Sequence, residues 1–332
     1  MKKLRIIDLH LILLVCSGIS SIILRTYALL TSFNRITMHF NDKIAITIGG
    51  GIVMLATLGF ISYLIFGEKE ADLIATNDNA ASFIPAGIVS ITLLFIGVEN
   101  IRLGIGASQN VLCALWILSG ILAFLSIGSF FVSIFIQKNE NTFKAAFSLS
   151  IVFFLVIYAM TLFFNRETHP TNSPNKIVDQ MAYVFAAIFF LYESRIPLGR
   201  AKWRPYVAFG LIAALLTAYS AVPSLIVYAA DGYLVSSSIV ETLLSLALSF
   251  FMFSRVLQTG RLTANVECSE AKSVALLSEM REKELEDLRN APRAQDNNNE
   301  DIEDAEDVSN YTFDIPYVEP TDEEPGSNSQ PE

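Results

Sequence analysis

Apolar runs long enough to cross a bilayer set the terms for this chain. A spanning helix takes about 20 predominantly apolar residues, whereas a barrel strand takes about half that. Runs of the longer kind recur along most of the first 254 of the 332 residues. Hydrocarbon offers no water to backbone N–H and C=O groups, so runs of this length fold as helices, which satisfy those groups internally. The composition agrees, with 52% hydrophobic residues and a mean hydropathy of +0.47. The expected fold class is all-α: a polytopic transmembrane bundle of about eight helices with both termini cytoplasmic. A short amphipathic cytoplasmic helix and an acidic disordered C-terminal tail follow it. The expected divisions are 1–254 for the bundle, 255–292 for the helix and 293–332 for the tail.

The sidedness comes from one short loop, Glu193 to Arg204, which holds Arg195, Arg200, Lys202 and Arg204 between two apolar runs. Short basic loops stay on the cytoplasmic side. Placing this one inside fixes every other loop by parity and leaves 12 cations inside against 6 outside. Arg25, Arg35 and Lys43, all assigned to the first outside loop, are the exception to the pattern. The expected home is a bacterial cytoplasmic membrane.

The spans are expected as follows. The first begins at Ile6, after the basic MKKLR, and is read as an uncleaved span; a signal peptide is the alternative. The second covers Ile44 to Phe66 and contains Gly49, Gly50 and Gly51, which suit close helix approach. The third runs from about Ala81 to Val98, the fourth from Val111 to Ile136 and the fifth from Phe143 to Phe164. The sixth, Ile177 to Tyr192, is the shortest and opens on Asp179. The seventh, Tyr206 to Tyr228, carries Gly210, Ala214 and Ala218 as a small-residue seam. The eighth covers Tyr233 to Phe253. Seven spans, with the sixth re-entrant or the first removed, are the alternative. No outside loop exceeds about 20 residues, too few for a folded domain.

The charge is divided. Residues 282–332 hold 17 acids and 3 bases, whereas residues 1–281 are mildly basic. Such a tail cannot bury enough apolar surface to offset its ordering entropy. Within it Tyr311, Phe313, Ile315 and Tyr317 form an aromatic island that could dock into a partner's groove. Self-association through the amphipathic helix is a further reading. Nucleic acid is not an expected partner.

Ionisable residues inside spans point to function, because they are costly unless paired or wetted. Glu241 is placed about a third of the way into the eighth span, with Ser238, Ser245 and Ser249 on its face. This group is the candidate ion- or substrate-binding site. Glu193 is expected to pair with Arg195 or another cation of the basic loop, and Asp179 to lie near water or Lys176. Arg195, Arg200, Lys202, Trp203 and Arg204 are expected to meet lipid headgroups of the bilayer.

Catalytic constellations are missing from the pattern. His10, His39 and His169 are scattered, with no HExxH, no GxSxG and no phosphate-cradling loop. Three cysteines, Cys16, Cys113 and Cys268, lack metal-site or disulfide spacing. No cofactor, no metal and no enzymatic activity are expected. Two functions are carried forward. One is a non-enzymatic anchor or regulator that engages a cytoplasmic protein through its tail. The alternative is a secondary transporter or channel using Glu241.

Overall fold

The computed structural model describes residues 6–37, 39–67, 80–107, 109–135, 141–165, 173–196, 198, 202–235, 238–262 and 283. Among them are eight helices: α1 (Ile6–Thr31), α2 (Ile44–Phe66), α3 (Ala80–Gly106), α4 (Asn110–Phe135), α5 (Asn141–Phe164), α6 (Pro174–Glu193), α7 (Trp203–Asp231) and α8 (Ile239–Leu262). Seven of them are long and apolar enough to cross a membrane, and α6 is the one that is not. Its 20 residues reach about 30 Å, the thickness of the hydrocarbon core. Its composition sets it apart, since Lys176, Asp179 and Glu193 all lie within it.

Helices α3 to α8 pack each on the next, and α8 returns to α3, so six helices close a ring. Helices α1 and α2 pack on each other and on α7, outside that ring. Four helices therefore surround α7. Its spanning stretch is 78% buried, against 22% for α2. The sequence of α7 explains this position. Ala208, Gly210, Ala213, Ala214, Ser220 and Ala221 are all buried, and small side chains let neighbouring backbones come close on every side.

Gly210 is the tightest point of the seam expected in α7. A Cβ there would sit 2.6 Å from Val256 of α8 and 3.0 Å from Phe189 of α6. Ala214 is buried beside it and Ala218 is half-buried. In α2 only Gly49 of the three consecutive glycines has a neighbour where a Cβ would stand, with Leu24 at 3.4 Å.

The connection between α1 and α2 adds a small antiparallel ribbon, β1 (Phe33–Asn34) and β2 (His39–Phe40), to the all-α plan. Asn34 Oδ1 closes the turn by accepting the N–H groups of Ile36 at 2.9 Å and Thr37 at 3.1 Å. Such local side-chain acceptors are what make Asn a turn former. Phe33 and Phe40 pack with Ala28, Val227, Val235 and Tyr233, which ties the ribbon to the end of α7. Arg35 pairs with Asp231 at 2.7 Å and lies over the Tyr233 ring.

Gly210→Val should lower stability by about 1–3 kcal/mol through overpacking. Gly50→Val, where no atom stands within 4 Å of an added Cβ, should leave it nearly unchanged. Thermal unfolding of the two variants in detergent checks this.

Candidate functional site

The ring of six helices contains a vestibule of about 500 Å³ at the end where α3 and α5 finish and α8 begins. Its polar lining comes from Glu99, Asn100 and Arg102 of α3, Tyr158 of α5, Asn165 and Ser238. Ile96, Leu103, Leu112 and Trp116 supply apolar wall. On the sidedness expected from the basic loop, this is the end away from the cytoplasm.

Glu99 is the carboxylate of the lining, and it lies within α3, beyond the end at Val98 expected from sequence. Helix α3 does not stop at Val98. It continues about two turns to Gly106, carrying Glu99, Asn100 and Arg102 with it. A polar pair that ends an apolar run reads as the start of a loop. The signal that it is helix is the spacing of Ile96 and Leu103, which flank Glu99 and Asn100 at helical intervals. Asn100 is fully buried and donates from Nδ2 to Ser119 Oγ of α4 at 2.8 Å.

Glu241 stands differently from the expectation. Helix α8 starts at Ile239, later than Tyr233, so Glu241 lies in its first turn. A carboxylate there is favoured by the positive end of the helix dipole. Ser238 precedes the helix. Its Oγ accepts the Glu241 N–H at 3.1 Å and donates to Glu99 Oε2 at 3.0 Å. A hydroxyl that bonds the backbone N–H three residues on is a helix cap. Ser238 thus joins Glu99 of the vestibule to the turn that carries Glu241. Glu241 itself is only 3% exposed and lies behind the lining. It is close enough to Tyr158 and Tyr183 to act on both electrostatically.

The remaining serines of that face serve helix contact. Ser245 Oγ pairs with Tyr183 OH of α6 at 2.8 Å, and Ser249 Oγ donates to the Ala214 carbonyl of α7 at 2.9 Å. The structure therefore brings Glu241 and Ser238 together at the vestibule and sets Ser245 one turn deeper.

A second polar cluster lies at the same end. Arg25, assigned by sequence to an outside loop, is inside α1 and 1% exposed. Its Nη2 donates to Asn175 Oδ1 at 2.9 Å, and its guanidinium sits 4.5 Å above the Tyr219 ring. Asp179 of α6 stands near it and accepts a hydrogen bond from the Ser220 hydroxyl. Asp179 is thus buried, where the sequence suggested water. Lys176 is also buried, and its Nζ donates to the Asn165 carbonyl at 2.7 Å.

At the opposite end Glu193 pairs with Arg255, and the ion pair is buried beside Tyr206. The expected partner was Arg195 or another loop cation. Helix α8 continues past Phe253 to Leu262 and so delivers Arg255 to Glu193, crossing the expected boundary at 254 without a break. Arg195 lies over the Tyr192 ring instead.

Of the residues expected to meet lipid headgroups, Lys202 is exposed. Trp203 packs edge-on against Tyr206 at 5.7 Å, and Arg204 is half-buried, its Nη1 3.5 Å from the Leu64 carbonyl. Arg200 and the island Tyr311, Phe313, Ile315 and Tyr317 lie outside the described residues, as does most of the expected helix 255–292. No group of three or more metal-ligating side chains occurs among the described residues. The chain matches no known family, no curated protein and no solved structure.

Removing one partner of a buried ion pair leaves an uncompensated charge and costs about 3–5 kcal/mol. Arg255→Met alone should therefore destabilise the protein more than Arg255→Met combined with Glu193→Met. Thermal midpoints of the two single variants and the double variant, measured at one pH, decide this.

Proposed function

We propose that the bundle is a secondary transporter or channel whose solute enters the far-end vestibule and whose proton- or cation-carrying group is Glu241. The observation that carries this reading is that Ser238 hydrogen-bonds both Glu99 Oε2 of the vestibule and the backbone N–H of Glu241, which sets a half-buried carboxylate of the lining beside the helix turn that carries a buried one. Buried ionisable groups in membrane bundles face interior pathways and mark proton or ion routes. A cavity with a few convergent polar groups in a largely apolar wall is the form small-molecule sites take, and its volume lies within their usual range of about 300–1,000 Å³.

The vestibule shifts the weight from the tail to the bundle. Anchoring through Tyr311–Tyr317 needs no cavity and no carboxylate within the ring, whereas transport needs both. The ring also holds charges that a passive anchor has no use for, since burying them costs stability.

The test uses full-length protein in liposomes that trap a pH-sensitive dye, with an inside-negative potassium diffusion potential. Proton entry should exceed that of protein-free vesicles with sodium either present or absent. Glu241→Gln should return it to the protein-free rate while the protein still elutes as a single species, and Glu241→Asp should keep part of it. Equal rates in wild type and Glu241→Gln would overturn the reading.

A further inference from the structure

We infer that the vestibule takes a primary ammonium solute with an apolar body, an alkyl- or arylalkyl-ammonium. This rests on the transport reading for its site and names the class of solute.

The amide of Asn100 is oriented by its neighbour Ser119. Ser119 Oγ donates its one proton to the Trp116 carbonyl at 3.2 Å. It can then only accept from Asn100, so Nδ2 is the atom that faces Ser119 and Oδ1 is the atom left over. Asn100 is fully buried, lines the vestibule, and its Oδ1 has no hydrogen-bond partner. A buried acceptor without a donor is costly. An N–H or O–H reaching that oxygen from the vestibule would relieve the cost.

The neighbouring residue on α3 fixes the sign of the charge. Glu99 uses Oε2 to accept from Ser238, which leaves Oε1 able to accept from a ligand. An acceptor amide and a carboxylate side by side favour a cation that carries N–H groups. Ser238 donates to Glu99 and so holds Oε2 in place. Arg102, the cation of the lining, is exposed. As an exposed side chain at the rim it gives an anion a single contact, while Glu99 repels one.

The walls exclude a bare metal ion and favour a body on the cation. Hard ions such as calcium take about 6–8 oxygens at close range. The vestibule is far larger than such an ion, and much of its wall is Ile96, Leu103, Leu112 and Trp116. Trp116 and Tyr158 meet edge-to-face, with ring centroids 6.2 Å apart, and form an aromatic corner beside the acceptors. Aromatic faces tolerate a cation and its attached carbons. A quaternary ammonium would satisfy the aromatic corner but would leave Asn100 Oδ1 without a donor. The primary ammonium satisfies both.

The experiment is calorimetric titration of the full-length protein in nanodiscs. The probes are phenethylammonium and butylammonium, with tetraethylammonium, sodium and hexanoate as comparators. Phenethylammonium should bind, and Glu99→Gln should weaken it about tenfold or more, the loss expected when a charged hydrogen-bond acceptor becomes neutral. Trp116→Phe, a smaller aromatic, should weaken phenethylammonium more than butylammonium. Asn100→Ala serves as a second variant if it elutes as a monodisperse species, and should weaken both primary amines. Binding of tetraethylammonium or sodium as tight as that of the primary amines would overturn the inference, as would amine binding unchanged in Glu99→Gln. If no amine binds while Glu241→Gln still abolishes proton entry, the solute class is wrong and the transport reading stands. If the amines bind as expected while proton entry ignores Glu241, the solute class stands and transport through Glu241 falls.

Discussion

A charge set inside a bundle of apolar helices must find a partner or water, and the arrangement of this protein follows from that demand. The desolvation of an isolated ion costs far more than a folded protein's whole margin of stability. Three solutions appear. Arg25 rests on a ring face and a side-chain amide, close to Asp179. Glu193 and Arg255 neutralise each other. Glu99 opens onto a cavity that can hold water or a ligand. Among the described residues, the third leaves room for a ligand.

The same demand is met in the loop that broke the charge rule. Arg25 and Arg35 run against the sidedness of the basic loop, and both are held by partners. Arg25 is inside α1 and rests on groups from α6 and α7. Arg35 pairs with Asp231 at the end of α7. That pair is exposed, and its contribution is small, about 0–1 kcal/mol. The bias of basic loops toward the cytoplasm counts Lys and Arg rather than net charge, so the partners explain how these arginines are held and not the sidedness.

How much could be read from sequence depended on whether the signal was local. Span α2 was legible to the residue, because Lys43 and Gly67 bound an unbroken apolar run. The small-residue seam of α7 was legible too, since helical spacing alone places Gly210 and Ala214 on one face. The end of α3 was not. Glu99 and Asn100 look like a loop until Ser119 of α4 and Ser238 before α8 are known to receive them. Nor was the Glu193–Arg255 pair, whose members lie 62 residues apart. In both cases a polar residue near a helix end was taken for a boundary. Its partner came from a helix distant in sequence, and tertiary pairing extended the helix past the point where hydropathy falls.

Helix α8 joins the two ends of the ring, and this bears on how a solute could pass. Glu241, Ser245 and Ser249 recur every four residues along its buried face, and Arg255 lies farther along the same helix. Below the vestibule, aromatic rings pack among the described residues. Trp116 and Tyr183 both meet Tyr158 edge-on, and Phe130, Phe190 and Phe251 pack together deeper still. Among the described residues, the cavity lies at the Glu99 end and packed aromatic rings lie toward the Glu193 end. Aromatic packing yields by rotation of side chains, at the cost of contacts each worth about 0.5–1.5 kcal/mol beyond area burial. The ion pair is different, because separating it in a dry interior is prohibitive and separating it in water is cheap. For a solute to leave at that end, water has to reach Glu193 and Arg255 first. On the transport reading, hydration of that one pair, more than movement of any single aromatic ring, sets the barrier between the two faces.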